Sequence, residues 1–370
     1  MKSKKKILIL VPFSAGICGV WQRAKIEAIE FKKRGHDVKI FSSNATKGSK
    51  EKANKKELYQ GIEIKRFPYI KLGGESYFNW NFEKDATQFN PDIIIAHNYR
   101  QIHTEKALKI AKKIKAKCYL VTHAPFIKNR PLIPRIVVAI KDLINPLNKF
   151  DKVITISKWE IPTLLRLGCK RENIAHIPNA IPSRFFSQKK EKEQKKILYL
   201  GRIHSRKDIE ILMKSFNNSN LRNTYELEIV GPREGKYYET LINLKNRLKL
   251  KANFSGPIFD LKKKIEKYDS AEIFVLPSKF EPFGIVFLEA MARSKVIVAT
   301  NTQGANELIE RNKSGIIFQI GNEEQLRNIF NNLSTDNSSK FKKILKNGAK
   351  ERAKQFEISK IVDKWENLFF

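Results

Sequence analysis

Short apolar runs, none long enough for a helix, recur along this chain between longer amphipathic stretches. In the first half they are Ile7–Val11, Val38–Phe41, Ile93–Ala96, Cys118–Val121 and Val153–Ile156. In the second half they are Ile197–Leu200, Leu227–Val230, Ile273–Leu276, Val296–Ala299 and Ile316–Phe318. Continuous Ile/Val/Leu segments of this length read as strands buried on both faces, the habit of parallel sheets. The intervening stretches read as helices. Trp21–Arg34 sets Ala24, Ala28 and Phe31 at helical spacing and stops at Gly35, a good helix terminator. Thr104–Lys117 repeats the pattern, with Leu108, Ala111 and Ile114 on one face and lysines on the other. Strand–helix alternation, twice over, predicts an α/β chain of two doubly wound units.

A chain of 370 residues suits two such domains. The join is expected near Pro178–Lys196, where Pro178 and Pro182 break structure and Gln188–Lys196 is a charged run. Residues 1–178 then form the first domain and 179–355 the second. Two such domains facing each other would gather the carboxyl ends of their strands around one cleft, where ligands bind in such folds.

Apolar residues at 41% and aromatics at 10% supply a sizeable core and exclude wholesale disorder. The formal net charge of +34 calls for a broad surface or an anionic partner. Phosphorylated substrates, nucleic acid and an anionic membrane face all meet that description. No nucleic-acid-binding module is recognisable, so nucleic acid is not expected as a partner; steeply salt-dependent binding would mark that alternative. Cys18, Cys118 and Cys169 lie far apart, which argues against a disulfide framework or zinc knuckle and fits a reducing cytoplasm. Basic Met1–Lys6 followed by Ile7–Val11 imitates a signal peptide, but the run is short, is cut by Pro12, and suits a first buried strand. Nowhere do 18 apolar residues run together, so no membrane-spanning helix is expected.

Several enzyme signatures are absent: G-x-x-x-x-G-K-[ST], H-E-x-x-H, G-x-S-x-G and a G-x-G-x-x-G after a strand. Asp-x-Asp is absent too, so a nucleotide diphosphate would need positive charge from the protein itself. The most informative segment runs from Phe274 to Ala292. A strand ends at Pro277, a polar loop carries Glu281, and Pro282 stands where a helix is expected to begin. The amides of Phe283, Gly284 and Ile285 would then open a helix at the positive end of its dipole, an anion site. Glu289 follows about two turns on. Carboxylates are strong acceptors for sugar and ribose hydroxyls.

The string Glu281-Pro-Phe-Gly-Ile-Val-Phe-Leu-Glu289-Ala-Met-Ala resembles the Glu-x7-Glu signature of the family 4 glycosyltransferases, retaining enzymes of the GT-B fold. The resemblance covers nearly the whole chain. It implies two Rossmann-like domains across a cleft, with Glu281 on the transferred sugar and Glu289 on the ribose hydroxyls. Gly201-Arg202-Ile-His-Ser-Arg206-Lys207-Asp208 is similar to the family's G-R-x4-K-G element. That match implies that Arg202 and Lys207 hold the donor diphosphate, with Asp208 where the family has Gly. Fixed cations there stabilise charge on the leaving group in place of a metal. Gly19, followed by Gly35-His36-Asp37-Val38, resembles the family's Gly-Gly loop and G-H-x-V strand entry, with Cys18 replacing the first glycine. Cys18 has no base beside it in sequence and is not read as a nucleophile.

Thr122-His123-Ala-Pro resembles the segment whose histidine reaches the donor sugar, so His123 ranks above His97 as a site residue. His36 and His97 read as structural, and Ser157-Lys-Trp-Glu160 has the form of a capping box. The resemblance also places Gly256 near the nucleobase, Gly304 behind the sugar and Asn179 at the domain crossover. It further implies that 356–370 is a last helix returning to the first domain. The implied reaction is transfer from a nucleotide-diphosphate sugar to a hydroxyl of a lipid-linked or saccharide acceptor, without cofactor or essential metal. A phosphorylase or nucleotide-sugar epimerase on the same fold is the alternative. Helix Thr104–Lys117 and the apolar-basic segment Phe126–Phe150 are candidates for docking on an anionic cytoplasmic leaflet; a solvated Lys-rich surface is the other reading.

Overall fold

The computed structural model describes residues 3–16, 18–123, 147–188, 192–233 and 235–370. These divide into two compact units, Met1–Ala180 with Ile358–Phe370, and Ile181–Glu357. The segment 126–146, most of the proposed apolar-basic docking stretch, lies outside the described residues. The chain passes from the first unit to the second at Ala180, two residues beyond Pro178, so the charged run from Gln188 belongs to the second unit. There Glu193 pairs with Lys295 at 2.8 Å, and the Gln194 amide donates to the Ser270 carbonyl at 3.0 Å. Ile181 donates to the Phe356 carbonyl at 3.0 Å, so the first and last residues of that unit lie side by side.

In the first unit, strands β1 (Lys6–Phe13), β2 (Asp37–Ser43), β3 (Lys56–Tyr59) and β4 (Ile62–Phe67) share a sheet with later ones. The later strands are β7 (Ile93–His97), β8 (Lys117–Val121), β9 (Lys152–Thr155) and β10 (Ile174–His176). Their order is β10-β9-β8-β7-β1-β2-β4-β3, parallel throughout except for the β3–β4 pair. A separate hairpin joins β5 (Tyr69–Gly73) and β6 (Tyr77–Trp80). Ile7 to Val11 are fully buried, as a central strand covered on both faces requires.

In the second unit the sheet is wholly parallel. Its strands are β11 (Lys196–Leu200), β12 (Glu226–Val230), β13 (Ala252–Ser255), β14 (Ile273–Leu276), β15 (Val296–Thr300) and β16 (Ile316–Phe318). Their order is β13-β12-β11-β14-β15-β16. The order reverses between β11 and β14, so the loops after those two strands flank the switch point where ligands bind in open α/β sheets. In the first sheet the reversal lies between β1 and β7.

All ten apolar runs form strands of these sheets. The expected helices run Gly19–Lys33 and Ile102–Ile114. The last helix, Ile358–Phe369, docks on the first unit through the fully buried Ile361, Val362 and Trp365. Trp365 Nε1 donates to Glu27 Oε1 at 3.0 Å, and the Arg34 guanidinium donates to Asp363, Glu366 and the Ser359 carbonyl. His36 bonds both the Lys5 amide, at 3.1 Å, and Glu366, at 3.2 Å, fastening this helix to the edge of β1. Among the described residues no helix is long and apolar enough to cross a membrane.

Candidate functional site

Beyond β11 the chain makes a 3-10 turn, Ser205–Lys207, capped by the His204 ring, whose Nδ1 accepts from the Arg206 amide at 3.1 Å. That cap aims Lys207 at the loop after β14, where its Nζ meets Glu281 Oε2 at 2.6 Å. Two further contacts join the loops. The Lys279 amide donates to the Arg206 carbonyl at 2.9 Å, and Lys279 Nζ lies 3.2 Å from Asp208 Oδ1. Asp208 sits at φ 50°, the left-handed conformation that a glycine takes freely and that Asp tolerates better than most residues.

The helix after Glu281 begins later than the sequence suggested. It runs Ile285–Ala292, with Gly284 at its N-cap at φ 81°. Pro282 and Phe283 therefore belong to the loop, and the first-turn amides start at Ile285. The left-handed Gly284 breaks the run of helical dihedrals that Pro282 could otherwise have opened. A Cβ on Gly284 would meet the Phe287 ring at 2.5 Å and Glu281 Cγ at 3.1 Å. Gly304 supports the same loop from behind. Its amide donates to the Glu281 carbonyl at 2.9 Å, and a Cβ there would lie 2.4 Å from the Phe283 carbonyl oxygen.

Glu289 lies within that helix and is 6% exposed. Lys264 Nζ meets its Oε1 at 2.5 Å and the Tyr268 hydroxyl donates to its Oε2 at 2.8 Å. Burial and the adjacent Glu289 carboxylate push the Tyr268 phenol well above its ordinary range, so it remains a donor. Lys264 and Tyr268 sit four residues apart on the helix Leu261–Ser270, hence on one face. Nothing in a single sequence pairs that face with Glu289, and neither residue was anticipated. Arg202 is exposed just past β11, its carbonyl accepting from the Tyr199 hydroxyl at 2.7 Å. Gly256 is exposed past β13, with open space where a Cβ would stand.

The structure thus brings Lys207, Glu281, Phe283, Gly284, Ile285 and Gly304 together from the loops after β11 and β14, the start of helix Ile285–Ala292, and the helix Gln303–Leu308 after β15. Arg202, Glu289 and Gly256 belong to the same unit. Gly19 and His123 belong to the first unit. Gly19 opens its first helix, with open space at its Cβ position. His123 lies two residues past β8 at φ 55°, a strained backbone for a residue with a side chain. His97 Nδ1 lies 2.8 Å from His123 Nε2, and His103 Nε2 lies 2.8 Å from the His97 carbonyl. Burial depresses all three imidazoles below the ordinary histidine range, His103 to about 4, with Arg23 adding to the effect on His97 and His123.

The capping-box reading of Ser157–Glu160 needs correction. The Ser157 hydroxyl makes no cap bond, and Lys158–Glu160 is a 3-10 turn. The Glu160 carboxyl is buried, accepts from Thr122 Oγ1 and from the amides of Ile156 and Ser157, and is pushed up to about 7 mainly by burial. It stands in a buried polar cluster with Arg23 and the histidines, which its spacing in sequence did not reveal. Among the described residues no group of three or more His, Cys, Asp or Glu side chains is placed to hold a metal ion.

The family described as Glycosyl transferases group 1 matches residues 181–352, and Glycosyltransferase Family 4 matches residues 18–185. An uncharacterized glycosyltransferase of Methanocaldococcus jannaschii is 34% identical over 125 residues, which are 34% of this chain and 32% of that one. The N-acetylgalactosamine-N,N'-diacetylbacillosaminyl-diphospho-undecaprenol 4-alpha-N-acetylgalactosaminyltransferase of Campylobacter jejuni is 29% identical over 220 residues, 58% of each chain. The matched regions span between 32% and 61% of the first curated relatives' own length. Among solved structures, Anabaena HepE in complex with UDP superposes with a TM-score of 0.78 at 18% identity, covering 98% of both chains. The architecture is that of the GT-B fold, with two Rossmann-like units.

Proposed function

Because the chain belongs to the family 4 glycosyltransferases, glycosyl transferases group 1, we propose that it moves a sugar from a nucleotide-diphosphate donor to an acceptor hydroxyl with retention of anomeric configuration. The observation that carries this reading is the Lys207–Glu281 pair at the switch point of the second unit, beside the Gly284–Ile285 helix start. Lys207, Arg202 and the first-turn amides supply positive charge for a diphosphate. Glu281 lies beside them to accept from a sugar hydroxyl, and Glu289 further along the helix to accept from ribose hydroxyls.

In the proposed step the bond from the anomeric carbon to the diphosphate oxygen breaks as the acceptor oxygen bonds to the same face of that carbon. The leaving diphosphate oxygen takes the acceptor proton, and Lys207 and the amides stabilise the charge that grows there. The reading assigns this stabilisation to protein groups, so turnover is expected to persist in a chelator.

A lipid-linked glycan precursor is the proposed acceptor. The activity named for the Campylobacter relative, which concerns a diphospho-undecaprenol substrate, and the +34 net charge support it. Peripheral docking on an anionic leaflet follows as part of the proposal. Incubation of the full chain with UDP-, GDP- and ADP-sugars and a polyprenyl-diphosphate acceptor tests it, with the product's anomeric configuration read by NMR. An extended glycan of retained configuration is expected. Phosphate-dependent cleavage, or epimerised donor without transfer, would instead assign the fold to a phosphorylase or an epimerase.

A further inference from the structure

The β5–β6 ribbon is packed on one face only. Residues directly opposite in an antiparallel ribbon share a face. Tyr69 stands opposite Trp80 and Lys71 opposite Phe78; Ile70 stands opposite Asn79 on the other face, and Leu72 lies in the irregularity before Gly73. Phe78 and Trp80 are buried, their rings 5.3 Å from Phe13 and 5.7 Å from Phe67. Ile70 and Leu72 are 65% and 56% exposed. The aromatic face anchors the ribbon and leaves two large aliphatic side chains in water.

Lysines gather at the same end of the sheet. Residues 47–56 hold five lysines against one acid, Glu51, so this segment is strongly basic. It is laced to the end of β4, from which the ribbon departs. The Asn44 amide donates to the Phe67 carbonyl at 2.8 Å, and the Arg66 amide to the Lys55 carbonyl at 2.7 Å. Lys47 reaches the ribbon itself: it pairs with Glu75 in the ribbon's turn and lies 5.2 Å from the centroid of the Phe13 ring. Lys50, Lys52, Lys55 and Lys56 are exposed, as is Lys71 between the two aliphatics.

A partner for this face must take aliphatic side chains and ammonium groups together. A second copy is a poor fit: each copy carries +34, and two aliphatics fall far short of the roughly 800 Å² per partner of a stable protein interface. Nucleic acid would take the ammonium groups but offers the aliphatics no apolar medium. An anionic bilayer provides both, with apolar tips in the headgroup–acyl boundary and lysines at the level of the phosphates. The helix Ile102–Ile114 offers half of this, since Lys109, Lys112 and Lys113 are exposed while Ile110 is buried.

We propose that the β5–β6 ribbon is a membrane-docking element, Ile70 and Leu72 inserting shallowly into an anionic leaflet while Lys71 and the lysines of 47–56 rest on its phosphates. This names the face for the leaflet docking proposed above and rests on that part of the reading. The ribbon and the lysine segment follow the carboxyl ends of β4 and β2, the end at which open α/β sheets bind ligands. Docking there turns that end of the first unit toward the lipid.

Flotation of the full chain with vesicles of phosphatidylcholine alone, or with about one third phosphatidylglycerol, tests the proposal. Binding is expected to the second and not the first. Ile70→Ser with Leu72→Ser should weaken it at least about tenfold at unchanged melting temperature, because both side chains are exposed. Replacing Lys50, Lys52, Lys55 and Lys56 by Gln should weaken it comparably. Ile70→Trp, which adds an interfacial anchor, should tighten it, a gain that misfolding does not produce. Absence of binding to anionic vesicles overturns the proposal. So does salt-sensitive binding that the double Ser variant retains in full, which would mark a general polyanion surface, or a greater loss on replacing Lys109, Lys112 and Lys113 by Gln, which would assign docking to the helix. Ribbon-dependent vesicle binding by a chain without nucleotide-sugar turnover would defeat the proposed function and leave this inference standing; turnover on a soluble acceptor without vesicle binding would do the reverse.

Discussion

Lys207 Nζ and Glu281 Oε2 stand 2.6 Å apart, joining the loops that follow β11 and β14 across the switch point of the second sheet. The side chains are 18% and 12% exposed, so the pair is shielded yet reachable by a ligand. Glu281 satisfies the Lys207 ammonium, which on the proposed function a diphosphate would take over. Lys207→Ala is expected to lower transfer by about 10²–10³, the usual loss for one group stabilising developing charge. Glu281→Ala should also reduce transfer, and the double variant should lose less than the two single losses combined, since the residues share one interaction. Initial rates across this cycle, with melting temperatures alongside, decide it; additive losses would separate the two roles.

Two glycines of the second unit, both expected near the donor, differ in what surrounds them. A Cβ on Gly304 would press on the Phe283 carbonyl at 2.4 Å, whereas one on Gly256 meets open space. Gly304→Ala is therefore expected to destabilise by about 1–3 kcal/mol, as overpacking does. Gly256→Ala should change stability by less than about 0.5 kcal/mol. Urea unfolding of both variants checks this. A drop in nucleotide affinity for Gly256→Ala at unchanged stability would indicate that ligand occupies that space.

Trp365 seals the first unit through its contact with Phe31 and its bond to the buried Glu27. Trp365→Ala is expected to cost about 3–5 kcal/mol, the range for deleting a large buried aromatic side chain. Glu27, already raised above the ordinary carboxylate range by burial, would lose one of the bonds that favour its charged form. Denaturant midpoints of the variant and parent measure the difference.

Buried ionisable groups give stability an opposed pH dependence. His103 titrates at about 4 when folded, below its ordinary 6.5, so the unfolded chain binds the extra proton between those values. Its contribution is complete above pH 6.5 and is lost as pH falls toward 4, by about 3 kcal/mol at 1.4 kcal/mol per pH unit. Glu160, raised to about 7 from 4.5, does the reverse: the folded chain holds the proton, and stability is lost as pH rises from 4.5 to 7. Glu160→Gln should flatten the second loss and raise the melting temperature at pH 8 relative to the parent. A parent-like pH profile in the variant would contradict the assignment.

The strands were legible because runs such as Ile7–Val11 and Val296–Ala299 are apolar without interruption, which few structures other than a central parallel strand accommodate. β3 and β4 were not read, because Lys56–Tyr59, an exposed edge strand, and Ile62–Phe67, its half-buried neighbour, mix charge with apolar residues. At the site, Glu281, Glu289 and Lys207 stood out because their strings resemble family motifs, while their residue types alone would read as solvated surface charge. Lys264, Tyr268 and the Asp208–Lys279 pair did not, since they arise from packing between elements distant in sequence. Arg23 and Glu27 show a visible i, i+4 pairing, which ordinarily marks a solvated helix face; that both are fully buried is a tertiary fact.

The most direct test is calorimetric titration of UDP, GDP and ADP, and of the matching monophosphates, into the full chain and its Lys207→Ala and Glu289→Ala variants. One nucleoside diphosphate should bind with one-to-one stoichiometry and more tightly than its monophosphate, and each substitution should weaken it by about tenfold or more, equivalent to about 1.4 kcal/mol. Absence of binding by every diphosphate, or affinity unchanged in both variants, would contradict a donor site built on Lys207 and Glu289.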